Sequence, residues 1–190
     1  VDESEYYSKG LLWQISKSGV KSSYLFGTIH SEDQRVLTVL SEVKPLLKNA
    51  DHLAVEMELT PENSLMIMQA MLITDGRKLS SYISEALFKI TVAVAKDHGL
   101  PKMQVELLKP WAISTILSVP KAETGQFMDK ILYDQALQQE MPIIGLETAQ
   151  EQIAILDDLD MEEQIALLTE AIEYYDIVPR LHEELISAYV

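Results

Sequence analysis

Three carboxylates and one histidine carry most of the chemistry that this sequence could do. His30 closes the stretch Tyr24-Leu25-Phe26-Gly27-Thr28-Ile29-His30. There, three residues suited to a strand run into a glycine, and a Ser31-Glu32-Asp33-Gln34 capping box opens a helix. A histidine between the end of a strand and the start of a helix lies where α/β proteins tend to bind ligands. Gly27 in such a turn either supplies a positive φ or admits a close neighbour. Glu56 and Glu58 stand two apart in His52-Leu53-Ala54-Val55-Glu56-Met57-Glu58-Leu59. If that run is a strand, they share one face with His52 and Ala54 at a spacing of roughly 6.6 Å, and both carboxylates address one small site. Glu147 repeats the placement of His30, between an apolar run ending at Gly145 and the capping box Thr148-Ala149-Gln150-Glu151. The plain alternatives are a turn histidine held by hydrogen bonds and a half-exposed strand with a wet face.

The elements that must position these groups follow from periodicity. Leu11, Trp13 and Ile15 alternate, Ser18-Gly19 turns the chain, and Ser23 to Phe26 runs back, which predicts an N-terminal β-hairpin. Val36, Leu37, Leu40, Val43, Leu46 and Leu47 predict one amphipathic helix ending near Asn49-Ala50. Thr60-Pro61 starts a helix bearing Met66, Met68 and Met71, whose methionines are expected to fill core. Ser80 or Ser81 opens a long helix closing at His98-Gly99-Leu100-Pro101, where a protonated histidine would suit the helix dipole. A helix through Trp111 to Leu117 follows an interruption at Lys109-Pro110, and another runs from Phe127 to Leu137 with Asp129 and Asp134. Pro142 to Gly145 is a short buried strand, and residues 151–190 form two or three acidic amphipathic helices, with His182 on a solvated face. The fold class is therefore helix-rich α/β: a small sheet, opened by the hairpin, packed with many amphipathic helices.

Composition narrows the function. A chain of 190 residues suits a single domain. Without cysteine there is no disulfide, thiolate metal site or cysteine nucleophile, so any metal must rest on His, Asp, Glu or neutral oxygen donors. Thirty acidic against 15 basic residues give a formal charge of −15, a field that opposes nucleic acid and anionic lipid and tolerates a divalent cation. No apolar run approaches the ~18 residues of a membrane span. The first residue, Val1, is not a methionine, which suggests a removed signal peptide or expression tag. Phosphate-loop, dinucleotide-turn, His-Glu-x-x-His and nucleophile-elbow motifs are all absent from the sequence.

The order of the pieces resembles the TraB/GumN family, which includes TIKI-type proteases that inactivate Wnt proteins and relatives linked to pheromone shutdown. Leu11-Leu12-Trp13-Gln14-Ile15 with Tyr24 to His30 looks like its opening hairpin and first Gly-x-x-His motif. Val55-Glu56-Met57-Glu58-Leu59-Thr60 looks like its acidic strand, and Leu108-Lys109-Pro110-Trp111 has a counterpart in many members. Gly125 with Asp129 is a similar pair at a longer gap than usual, and Gly145-Leu146-Glu147-Thr148-Ala149-Gln150-Glu151-Gln152 resembles a Leu-Glu-Thr-x-x-x-Gln element. The similarity runs from Leu11 to Gln152 (the 11–152 portion) and fades through Tyr175-Asp176 into the helical residues 153–190.

The resemblance implies a metal-dependent hydrolase, a protease acting on a peptide or protein substrate. His30 would be a metal ligand, Glu56 a ligand or general base, and Gly27, Glu58 and Glu147 supporting residues, around a divalent ion (Mn, Co or Zn). It also implies an exported location, periplasmic or extracellular. The family's second Gly-x-x-His, with an Arg-Asn pair ahead of it, has no match here. The expectation is thus one TraB/GumN-like domain, incomplete toward its C-terminus, with little hydrolase activity by itself and weak metal binding at His30 and Glu56. A non-catalytic peptide- or partner-binding module on the same fold is the alternative, using the crevice or the Met66–Met71 helix. Haem ligation by His30 is a third reading.

Overall fold

In the computed structural model, residues 10–190 are described, and the reading of Val1 lies outside them. The chain divides into two compact units. The first comprises residues up to Val55, Glu123–Ile144 and Tyr189–Val190; the second comprises Glu56–Ala122 and Gly145–Ala188.

The first unit opens with the predicted hairpin, β1 (Leu12–Lys17) and β2 (Val20–Phe26). Gly19, at φ 77°, makes the turn that a side chain would resist. The strands pair antiparallel with Trp13 opposite Leu25 and Gln14 opposite Tyr24, and the register slips between Ile15 and Lys17. One face carries the hydrogen-bonded Gln14, Ser16 and Ser22, while Ile15 and Leu25 on the other remain exposed.

The single helix expected after Ser31 is two: α1 (Gln34–Thr38) and α2 (Leu40–Lys48), broken at Val39. Its apolar pattern nevertheless holds, for Val36, Leu40, Val43 and Leu47 are buried. Helix α2 packs on α7 (Met128–Gln138), which buries Met128, Leu132, Tyr133 and Ala136. Strand β3 (Leu53–Val55) pairs with β4 (Ile143–Gly145). The strand expected from His52 to Leu59 therefore stops three residues in, and β4 is half-buried rather than buried, with Ile144 exposed.

The second unit is helical. It contains α3 (Pro61–Ala70), α4 (Glu85–Asp97), α5 (Lys102–Val105), α6 (Pro110–Leu117), α8 (Ala149–Asp157), α9 (Met161–Tyr174) and most of α10 (Val178–Tyr189). Caps set several starts: Thr60 takes the Asn63 N–H, and Pro61 occupies the first turn where its missing donor costs nothing. Ser84, not Ser80 or Ser81, caps α4; a 3-10 turn over Leu79–Ser81 precedes it. Both Thr148 and Asp160 form reciprocal capping boxes, with Glu151 and Glu163.

The core of this unit gathers Leu79, Ile83, Phe88, Ala95, Val105, Ile113, Leu117, Leu168 and Ala171, where α6 and α4 pack along α9. Trp111 is buried beside it, its indole N–H donating to Asp157 Oδ1 at 2.9 Å, and Lys109 pairs with the same carboxylate. The methionines of α3 do not fill core. Met68 is 57% exposed, Leu65, Met66 and Leu72 are also exposed, and no residue of α3 is buried. The fold is a helix-rich α/β one with small open sheets, one of them the N-terminal hairpin.

Candidate functional site

The candidate residues fall in two groups, one within each unit. In the first, β2 ends at Phe26 and the Gly27 N–H donates to the Leu11 carbonyl at 2.8 Å, extending the hairpin by one bond. Gly27 itself has an ordinary backbone, and among the described residues a Cβ there would meet only the Leu11 carbonyl at 3.9 Å. Neither reason expected for a glycine applies. The Tyr189 hydroxyl donates to the Gly27 carbonyl at 2.7 Å and fixes this turn from its other side.

Two residues on, the Ser31 N–H bonds the Ile29 carbonyl at 2.8 Å, a three-residue turn centred on His30. Ile29 is buried and the His30 side chain, 62% exposed, points outward. The capping box expected at Ser31 is absent. Asp33 is the cap, accepting the Arg35 N–H at 2.8 Å, while Ser31 Oγ accepts the Asp33 N–H at 3.1 Å. Serine and aspartate are equally good caps, and the one adjoining the first helical residue prevails.

Helix α7 supplies the surroundings of His30. Phe127, at its N-cap position, stacks on the imidazole with centroids 3.7 Å apart and planes 18° apart. Asp129, in the first turn, brings Oδ2 to 3.6 Å from His30 Nδ1. That separation is an ion-pair distance, longer than a good hydrogen bond. Burial pushes the Asp129 carboxyl up, but His30 and Thr28 outweigh it and hold the group below its ordinary range. A negative oxygen facing Nδ1 favours a proton there, which leaves Nε2 with its lone pair for a ligand. Histidines that bind metal are commonly backed in this way by a carboxylate.

The second group holds the three glutamates. Because β3 ends at Val55, Glu56 and Glu58 are not the neighbours on one strand face that the pattern predicts but lie in the irregular segment that follows. Backbone contacts bring their loop against the one after β4. The Glu147 N–H donates to the Glu56 carbonyl at 2.8 Å, and the Asn63 side chain donates to the Glu58 carbonyl at 2.8 Å. At Gly145 the approach is tight: a Cβ would stand 3.2 Å from the Glu147 carbonyl and 3.4 Å from both the N and Cγ of Glu58. Here a side chain would crowd the neighbouring backbone. The side chains of Glu56 and Glu147 are exposed and that of Glu58 is half-buried.

A catalytic zinc site normally has three protein ligands. Among the described residues no group of three or more His, Asp or Glu is arranged to hold a metal ion. The donors present fit one backed histidine ligand in the first unit and a cluster of carboxylate-bearing loops in the second, not a closed resident site. The remaining histidines add no further donor set. His52 is exposed beside Asp51, and His98 is tilted against the Tyr175 ring with centroids 5.7 Å apart. Burial lowers the His98 pKa, with the Asp97 charge opposing, so it is less suited than expected to act as a cation at the end of α4.

Phe127 carries no signal in the sequence that would tie it to His30, and neither does Glu32, whose carboxylate accepts backbone N–H groups of Glu123, Thr124 and Gly125. Asp129 was reachable only through its resemblance to a family aspartate.

Comparison with known proteins assigns the chain. The sequence profile of the TraB/PrgY/gumN family matches residues 11–190, and the chain belongs to that family. The match continues to the last residue, past Gln152, beyond which the motif resemblance fades. Two curated relatives, both called "Uncharacterized protein YbaP", come from Shigella flexneri and Escherichia coli (strain K12). They are 27% and 26% identical over 182 residues, which is 91% of this chain and 66% of each relative. The chain thus spans about two thirds of the length of the relatives it matches. No solved structure matches it.

Proposed function

We propose that these 190 residues carry part of a metal-dependent hydrolase of the TraB/GumN kind, acting on peptide or protein substrates. The observation that carries the proposal is the setting of His30: an exposed imidazole stacked on Phe127, with Asp129 facing Nδ1 and Nε2 directed away from it. His30 would ligate a divalent ion, Mn, Co or Zn, through Nε2. Glu56 would serve as a second ligand or as the base, with Glu58 and Glu147 as supporting carboxylates and Gly27 in the turn before His30. Bound there, such an ion would supply Lewis-acid chemistry near neutral pH. Asp129 keeps the imidazole in the ligating tautomer, and Phe127 fixes its plane. The remaining donors would come from sequence outside these residues, so a single domain completed toward its C-terminus is part of the proposal, as is an exported location. A quenched-peptide assay tests it. Protein that includes the longer sequence should cleave, stop with chelator, resume with added metal, and fail with His30→Ala. Cleavage indifferent to chelator and to H30A rules the reading out.

The exposed methionine face favours a second reading, a module that binds a peptide or partner without cleaving it. Leu65 and Met68 stand three residues apart and exposed on α3, Leu72 is exposed just beyond its end, and neither α3 nor α8 has a basic residue in its last turn. Met68→Glu should then weaken peptide binding while leaving any hydrolysis intact; unchanged peptide affinity in M68E dismisses this use of α3.

A further inference from the structure

We propose that Glu32 is a positioning residue that sets the tautomer and plane of His30 by clamping the loop before α7. Its carboxylate accepts the Glu123 N–H at 2.8 Å, the Thr124 N–H at 3.0 Å through Oε2 and 3.2 Å through Oε1, and the Gly125 N–H. Successive backbone N–H groups that converge on one point form an anion-binding concavity, and Gly125, at φ 70°, supplies the left-handed residue that such a turn needs. The anion that fills it belongs to the chain itself.

The geometry makes a closed ring. Glu32 follows His30 by two residues, and Phe127 follows Gly125 by two. From Phe127 the chain enters α7 and delivers the stacked ring and the Asp129 carboxylate back to His30. Other contacts reach this ring as well: the Gln126 N–H on Thr124 Oγ1 at 3.1 Å within the loop, the Thr28 side chain on Asp129, and Tyr189 on Gly27 and Met128. Residues 118–127 contain no helix or strand to hold Phe127 in place. The seating of Glu32 holds the loop that enters α7 against the segment that follows His30. A carboxylate is well suited, because hydrogen bonds to an ionised acceptor are roughly twice as strong as neutral ones. The seat is made beside Glu123 on a chain of net charge −15, where a free carboxylate would be repelled. This role does not depend on whether His30 binds a metal.

Nuclear magnetic resonance on the whole chain tests it. In the wild type the amides of Glu123, Thr124 and Gly125 should exchange roughly 10- to 100-fold slower than in an open loop, the effect of a hydrogen bond to a charged group. Long-range 1H–15N spectra at pH 8 should show neutral His30 protonated on Nδ1, with its ring protons shifted upfield by Phe127. Glu32→Ala should abolish the protection, move His30 toward the Nε2-protonated tautomer and remove the ring-current shift. Glu32→Gln, which keeps one acceptor oxygen, should retain part of both signals. Loss of amide protection in E32A with an unchanged His30 tautomer and ring shift would reduce Glu32 to a loop staple and overturn the proposal. Unprotected amides in the wild type overturn it too, and that measurement stands even if E32A does not fold.

Discussion

The two glycines of the proposed site separate on steric grounds, and replacing each by alanine turns that difference into numbers. At Gly145 the new methyl carbon would lie 3.2 Å from the Glu147 carbonyl oxygen and 3.4 Å from the Glu58 backbone N. Both are backbone atoms, and the Glu147 N–H is bonded to the Glu56 carbonyl at 2.8 Å, so neither loop can recede freely. Overpacking of this kind costs about 1–3 kcal/mol. At Gly27 the only neighbour among the described residues is the Leu11 carbonyl at 3.9 Å, and the backbone there is one that any residue adopts. Alanine at that position limits the unfolded chain and should be neutral or stabilising by up to ~1 kcal/mol. Urea denaturation of G145A and G27A beside the wild type reads the gap as a shift in midpoint at constant slope. For a chain of this size each kcal/mol corresponds to ~2–4 °C in Tm. A G145A protein within about 0.5 kcal/mol of wild type, or a G27A as damaged as G145A, refutes the claim that of the two only Gly145 is crowded by close approach, since substitutions away from any special feature fall within that margin.

Two further outcomes follow from the second unit. Asp157→Ala removes the acceptor of the buried Trp111 N–H and the partner of Lys109. Leaving a buried donor unsatisfied should cost about 1–3 kcal/mol, measurable by denaturant titration, and Trp111 fluorescence should change with it. Asp75 is held at a pKa of about 2 by the Tyr82 hydroxyl first, then by the backbone and side chain of Arg77. Because its folded value is depressed, the contact stabilises above the unfolded pKa near 3.8 and is lost as pH falls toward 2. Carbon-detected titration should show Asp75 returning toward the ordinary carboxylate range in Tyr82→Phe, whereas an unshifted value in Y82F contradicts the assignment.

Local signals in the sequence lead to the right elements where a residue acts on its immediate neighbours. Alternation around Ser18-Gly19, the Thr60-Pro61 start and the Thr148–Glu151 box all appear as expected, because each depends on contacts a few residues apart. Departures arise where a distant group competes. Periodicity extends β3 to Leu59, but the loop after β4 takes the Glu56 carbonyl and packs Gly145 against Glu58, which turns the chain out of the strand. Methionine spacing at Met66 and Met68 predicted core, yet α3 is apolar on both its sides and only one can be covered by α8. His30 was legible as a candidate because it lies between a strand end and a helix start. Its partners were not, since Phe127 and Asp129 reach it from half the chain away, and no spacing rule links them.

Metal binding by His30 is tested most directly by measuring bound metal against mutation. Protein grown with added cobalt or manganese and assayed by emission spectrometry should carry about one ion when it includes the longer sequence, consistent with a three-ligand site. His30→Ala should empty it, and Asp129→Asn should weaken binding about 10–100-fold, as removal of a ligand's supporting carboxylate does. The 190 residues by themselves should bind only weakly. A stoichiometric ion that survives H30A, or no ion at all in the longer protein, would contradict the account.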